Sequence, residues 1–288
     1  MRKLLVALAI LALLASVGLA MASKSDEATI PSEWIGKTKI VNKNGDLTQI
    51  VFIKYAKGFQ QVVSPQEVED IGDPDNDGAK DGYVLIGVYW NLDRYPYGVP
   101  YVINPSSAVR KYKLSEDDVV EEIKAALESW DVAVDYDDYT PPDNLTYDVE
   151  LYNDTPTIDY KAKASVRFPD FKNVITWRGL PNGTIAVASI WYITDTKEIV
   201  DADIILRIGY KWGIADGNEL TTDLPNAFDI RNIVTHEAGH WTGLDDIYNE
   251  TYSAMTMYGY SDYGEEIKRS LEPGDIAGAQ EVYEGWRN

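Results

Sequence analysis

The order of patterned segments predicts an α+β fold, with strands and helices grouped in separate runs. Three observations carry it. Ser115 and Asp118 form a capping box ahead of Val119, Ile123, Leu127 and Trp130, which recur at helical spacing. Residues 173–177, 184–193 and 199–207 are three β-rich runs, the first two parted by LPNG and the last two by a short polar turn, so they form a sheet that is antiparallel where the turns are this short. Asp229 and Gly243 bracket a second helix, with Ile230, Ile233, Val234 and Trp241 facing the core.

Taken from the start, residues 1–22 combine Arg2 and Lys3, an apolar run and small residues at Ala20 and Ala22, the pattern of a secretory signal peptide. An uncleaved membrane anchor is the alternative, although the run is short for a span of about 20 residues. Residues 23–81 form a small β-rich N-terminal region or prosegment, in which Asn44-Gly45 between two β-prone runs signals a hairpin. Its last part, DPDNDGAKD, offers Asp73, Asp75, Asp77 and Asp81 as calcium ligands in the spacing of a calcium loop. Val84 stands where the bidentate glutamate belongs, so a solvated turn is the competing reading. YVLIGVYW at 83–90 and VPYVI read as strands, 131–159 as an acidic loop with Pro141-Pro142, and 271–283 as a closing helix capped by Asp275.

Composition bounds the function. With 45% hydrophobic residues over 288 positions the chain can bury a large core, and its 8 Trp and 20 Tyr, scattered through strands and helices, read as core packing and not as a carbohydrate face. Removing residues 1–22 takes away two positive charges, so the net charge of −21 becomes −23. Such a surface repels nucleic acid and anionic membranes. No cysteine is present, so packing and bound ions, with no help from disulfides, must hold a secreted fold. Four sequons, at Asn144, Asn153, Asn182 and Asn249, matter only in a host that glycosylates.

Both histidines of the chain fall in HEAGHWTGLDD, residues 236–246. On a helix His236 and His240 share one face, about 6 Å apart at Cβ, and can present two imidazoles to one tetrahedral ion. Glu237 then lies beside the ion, where a general base for an activated water belongs. Gly243 ends the helix and turns the chain toward a third ligand, Asp246 or Asp245.

H-E-x-x-H-x-x-G-x-x-[H/D] followed by SAMTMYGY resembles the zinc signature and methionine turn of the metzincin metallopeptidases. Within that clan the chain is similar to a matrixin catalytic domain over roughly 83–285, through the stretches at 99–131, 184–206 and 271–285. The resemblance implies a metzincin fold, with a twisted mixed sheet, an active-site helix, a second long helix and a C-terminal helix in a domain spanning 82–288. It implies zinc on His236, His240 and Asp246, with Asp246 favoured over Asp245, and Glu237 as base. Met257 is then the turn methionine, with Met255 a close rival. Tyr258, Gly259 and Tyr260 line the substrate pocket, and Ala186, Val187 and Ala188 belong to an edge strand that binds an extended peptide. The implied protein is a secreted, monomeric zinc endopeptidase acting on proteins or peptides, with no nucleic-acid partner and no membrane partner unless the leader is retained. The chain departs from better-known matrixins in its Asp ligand and in lacking histidines for a structural zinc, since Val187 and Asp203 fall near those positions. One zinc is therefore expected, with calcium as structural ion, and any latency must use a carboxylate or steric cover in place of cysteine. A cell-surface or binding protein keeping a structural zinc is the reading from a different class.

Overall fold

The computed structural model describes residues 39–57, 82–138, 145–147, 149–216 and 224–284. The leader at 1–22 and the loop bearing Asp73, Asp75, Asp77 and Asp81 lie outside them.

The first strands, β1 (Lys39–Asn44) and β2 (Leu47–Ala56), form the expected hairpin, one residue displaced. Gly45 and Asp46 make the turn because Gly45, with φ 64°, can take the first central position of a two-residue loop. The strand expected at 83–90 does not form. Gly87, with φ 78°, breaks the run, and only single bridges from Leu85 to Leu244 and from Tyr89 to Glu198 remain, while Val88 and Trp90 are buried in the core. VPYVI supplies β3 (Val102–Asn104), and a short helix α1 (Ser106–Tyr112) precedes α2 (Glu116–Val134). Ser115 caps α2 by accepting from the Asp118 amide, and Val119, Ile123, Leu127 and Trp130 are all buried on its inner face.

The acidic stretch after residue 131 is only partly loop. The end of α2 runs into it, β4 (Tyr136–Asp138) pairs with β5 (Leu145–Tyr147), and β6 (Thr157–Ile158) joins the main sheet. Next come β7 (Val174–Arg178), β8 (Thr184–Ile193) and β9 (Ile199–Arg207). β8 and β9 are antiparallel neighbours, but LPNG does not make a hairpin, because β9 lies between β7 and β8 and runs parallel to β7. The mixed sheet has the order β1-β2-β8-β9-β7-β3-β6.

Alternating side chains bury both faces of this sheet. Ile50, Phe52, Ala186, Ala188, Ile204 and Trp177 pack toward the helices in the main core. Val51, Ile53, Val187, Ile205 and Val174 pack beneath Ala164, Val166 and Leu180 of the connecting segments. Burial on both sides explains why β8 reads as an almost unbroken apolar run. Two short strands, β10 (Trp212–Gly213) and β11 (Phe228–Asp229), lead into α3 (Ile230–Thr242), and β12 (Tyr260–Ser261) and α4 (Pro273–Tyr283) complete the chain. Trp130 Nε1 donates to Thr235 O at 2.8 Å, fastening α2 to α3. At the start of α3, Asp229 accepts from the Asn232 amide and from Arg269 Nη1, whose Nη2 reaches Glu122 of α2 at 2.6 Å.

Asp131, in the last turn of α2, is buried and accepts from the Leu151 amide at 2.5 Å. Burial raises its carboxyl from 3.8 to about 8; that amide opposes the shift, and Glu128, Glu150 and Asp135 add to it. A raised folded-state value means that the folded chain holds this proton more tightly than the unfolded chain. The stability this contributes is fully present below the unfolded value and is lost as pH rises through about 8. Asp131→Asn keeps an oxygen acceptor without the charge. Its urea midpoint, compared with wild type, is expected to rise from pH 5 to about pH 8 and to level off above that.

Candidate metal centre

The centre is built on α3. Asp229 caps its start, with the Asn232 amide 2.8 Å from the carboxylate, and Gly243 ends it in a left-handed conformation, φ 115°. A Cβ at Gly243 would also meet Val88 O at 2.7 Å, so both conformation and space demand glycine. His236 and His240 lie on one face of the helix with ring centroids 5.0 Å apart. Beyond Gly243 the chain reverses, the Asp245 amide donates to Val84 O, and Asp246 arrives opposite both rings.

Each imidazole is oriented by a backbone carbonyl. His236 Nδ1 lies 2.6 Å from Thr256 O, and His240 Nδ1 lies 2.8 Å from Leu244 O. A carbonyl only accepts, so each Nδ1 carries the hydrogen and each Nε2 turns its lone pair inward. Asp246 Oδ1 lies 3.2 Å from His236 Nε2 and 3.8 Å from His240 Nε2. Tyr248 donates to the other oxygen, Oδ2, at 2.9 Å. His236 Nε2 and Asp246 Oδ1 are buried with no hydrogen-bond partner. Burial, as the largest cause, keeps both rings neutral, lowering His236 well below the usual histidine range and His240 to about 3. Two neutral imidazoles and a carboxylate, with one donor atom from each residue within 4.8 Å of the others, fit a cation, and this group can hold a metal ion. Asp246 completes it; Asp245 instead pairs with Lys39.

Glu237 is fully buried, and neither of its oxygens has a hydrogen-bond partner. Burial lifts it to about 8, against the pull of Lys54 and with a further push from Asp246. A divalent cation held by the adjacent group would act in the opposite direction and favour the ionised carboxylate.

Met257 is buried beneath α3, so close to Gly239 that a Cβ there would collide with its Sδ and stand 2.7 Å from Trp130. Met255 is only partly buried and neighbours Gly82. Met257 is thus the methionine under the helix. Asp275 is not the cap of α4 but its third residue; Glu272 takes the cap position in a reciprocal capping box. The Asp275 carboxylate accepts from the Thr256 amide at 2.8 Å and the Met257 amide at 3.1 Å, fixing the turn whose Thr256 carbonyl orients His236.

Tyr258, Gly259 and Tyr260 follow directly, with a Cβ on Gly259 only 3.1 Å from Asp246 Oδ1. Ala186, Val187 and Ala188 do not lie on a free edge: they pair with Lys54, Ile53 and Phe52 of β2. The Phe52 ring stacks on His240 with centroids 3.9 Å apart and planes 7° from parallel. Lys54 is buried, donates to Tyr258 O at 3.2 Å, and is lowered to about 7, first by burial and then by Lys268. Sequence patterns did not single out Phe52, Lys54 or Tyr248, and they read Asp275 only as a cap. The one available signal was a lysine inside an otherwise apolar strand, VFIKY.

No known family, curated protein or solved structure matches the chain.

Asp275→Asn leaves one acceptor oxygen where three amides, those of Thr256, Met257 and Glu272, now bind a carboxylate. Metal affinity, measured by competition with a chromophoric chelator, is expected to fall by about 10-fold or more at unchanged circular dichroism.

Proposed function

We propose that the chain is a zinc-dependent endopeptidase, secreted and of metzincin type, with a matrixin-like catalytic domain over residues 82–288. The observation that carries this reading is Glu237: a carboxylate buried without a hydrogen bond, one residue along α3 from a three-residue donor group. Leaving such a group unpaired is costly to the fold, and a site kept only for structure gains nothing from it. Two imidazoles and one carboxylate form the donor set of a catalytic zinc with an open fourth position. The separations of 3.2 and 3.8 Å bracket the roughly 3.3 Å edge of a tetrahedron with bonds near 2.0 Å.

When bound, zinc supplies Lewis acidity toward the scissile carbonyl and makes water a stronger acid. Glu237 takes the proton as the water oxygen bonds to the carbonyl carbon, and delivers it to the amine nitrogen as the carbon–nitrogen bond breaks. The Asp246 and His240 side chains, held by Tyr248 and the Leu244 carbonyl, keep their donor atoms fixed throughout. Substrates are protein or peptide segments in extended conformation. The leader that supports secretion lies outside the described residues, among which no helix is long and apolar enough to cross a membrane.

One observation favours the alternative, a metal kept for structure alone: His236, Glu237 and His240 are at most 1% exposed. Glu237→Gln separates the two. In a casein-cleaving preparation the variant is expected to retain about one zinc per chain, read by mass spectrometry, and to lose at least about 100-fold in kcat/KM. Equal zinc with unchanged cleavage sinks Glu237 as the base. Asp246 neutralises one unit of the cation's charge, so Asp246→His is expected to move the acid limb of the kcat/KM profile to lower pH.

A further inference from the structure

A centre that hydrolyses other chains needs an approach, and β2 fills the one beside it. β2 runs antiparallel to β8, from Leu47 opposite Ile193 to Lys54 opposite Ala186, and parallel to β12, with Tyr55 opposite Tyr260. The Ala56 amide donates to Gly183 O and the Lys57 amide to Ser261 O, so both walls of the slot hold the strand. The walls are the two segments assigned above to substrate, β8 and the stretch after Met257.

The side chains of β2 fit the slot in alternation. Ile50 and Phe52 point into the main core, and Val51, Ile53 and Tyr55 into the smaller cluster on the far face of the sheet. Phe52 lies flat on the His240 ring, and Lys54, within electrostatic range of Asp246 and Glu237, donates to the Tyr258 carbonyl. The backbone between Phe52 and Lys54 is therefore the part of β2 carried past the metal group. A second anchor lies on the other arm of the hairpin, where Lys39 pairs with Asp245, the neighbour of Asp246. No side chain of β2 is an acid, a histidine or a cysteine, so the strand covers the metal group without ligating it.

We infer that the Lys39–Ala56 hairpin is a built-in occupant of the substrate slot, holding the centre latent by strand addition and displaying the kind of peptide that the slot accepts. That peptide is extended, with an aromatic side chain against His240 and a long basic side chain two residues later beside Tyr258. The inference rests on the peptidase reading, and its test separates the two.

The chain has no cysteine, so a pair introduced at facing positions forms a single reversible tether. Val51→Cys with Ser189→Cys ties β2 to β8, and Lys54→Ala in the same full-length chain removes the contact with Tyr258. The zinc-loaded triple variant is assayed oxidised and reduced, for cleavage of a fluorogenic Phe-X-Lys peptide and for zinc release to a chelator. Reduction is expected to raise both rates by at least about tenfold, because local opening of β2 then becomes possible. The Val51→Cys, Ser189→Cys pair with Lys54 intact repeats the zinc-release comparison if the triple variant does not fold. Equal rates in the oxidised and reduced forms overturn the inference. Zinc release that follows the tether, with no cleavage in either form, keeps the cover and overturns the peptidase reading. Cleavage that follows the tether but ignores replacement of the probe's Phe and Lys by Ala overturns the substrate preference.

Discussion

The structure is organised around the cost of burying unpaired electron pairs. His236 Nε2, Asp246 Oδ1 and both oxygens of Glu237 are buried in the interior with no hydrogen-bond partner from the protein. In folded proteins, buried polar atoms are nearly always satisfied. Packing alone gives no reason for four such atoms to converge at one end of a helix; a cation gives one. Everything near them serves to keep them pointed: carbonyls on the far side of each ring, a phenol on the second oxygen of Asp246, and Met257 lodged under a glycine that leaves it room.

The charge around this centre runs against the composition of the chain. Acids exceed bases by 21 overall, yet Lys39, Lys54 and Lys268 gather about Glu237, Asp245, Asp246 and Glu265. Lys54 and Lys268 are almost wholly buried, which strongly hydrated ammonium groups tolerate only with nearby partners. The lysines offset local carboxylate repulsion, and each ties a different segment to the centre: Lys39 the hairpin through Asp245, Lys54 the strand β2 through Tyr258 O, and Lys268 the stretch ending in Tyr260 O.

Legibility in the sequence followed the range of the interactions. Helix α3, its Asp229 cap and its Gly243 stop were readable because capping chemistry and i,i+4 spacing are local. The same holds for α2 with Ser115. The expected antiparallel sheet holds for β8 and β9 but not across LPNG, because the choice of neighbour for β7 is made by the core and not by the loop. Residues 83–90 are apolar like a strand but broken at Gly87, whose backbone conformation no pattern reveals. At the centre, His236 and His240 were legible from their spacing, while the turn after Gly243 left Asp246 and Asp245 both open; the family resemblance favoured Asp246, and the structure brings Asp246 to the two rings and pairs Asp245 with Lys39. The roles of Lys54, Phe52 and Asp275 were not legible, since each touches the centre from a part of the chain distant in sequence.

The bonds from Asp275 to the Thr256 and Met257 amides set an order of events in synthesis. The carboxylate that locks the turn behind His236 belongs to a residue 39 positions beyond that histidine, so an emerging polypeptide has no finished centre until the ribosome has released α4. Residues 39–56 have by then been outside the tunnel for more than 200 residues of elongation. The strand that packs its Phe52 on His240 is thus present before the donor group is complete, and the nascent chain never passes through a stage in which the finished group waits for β2.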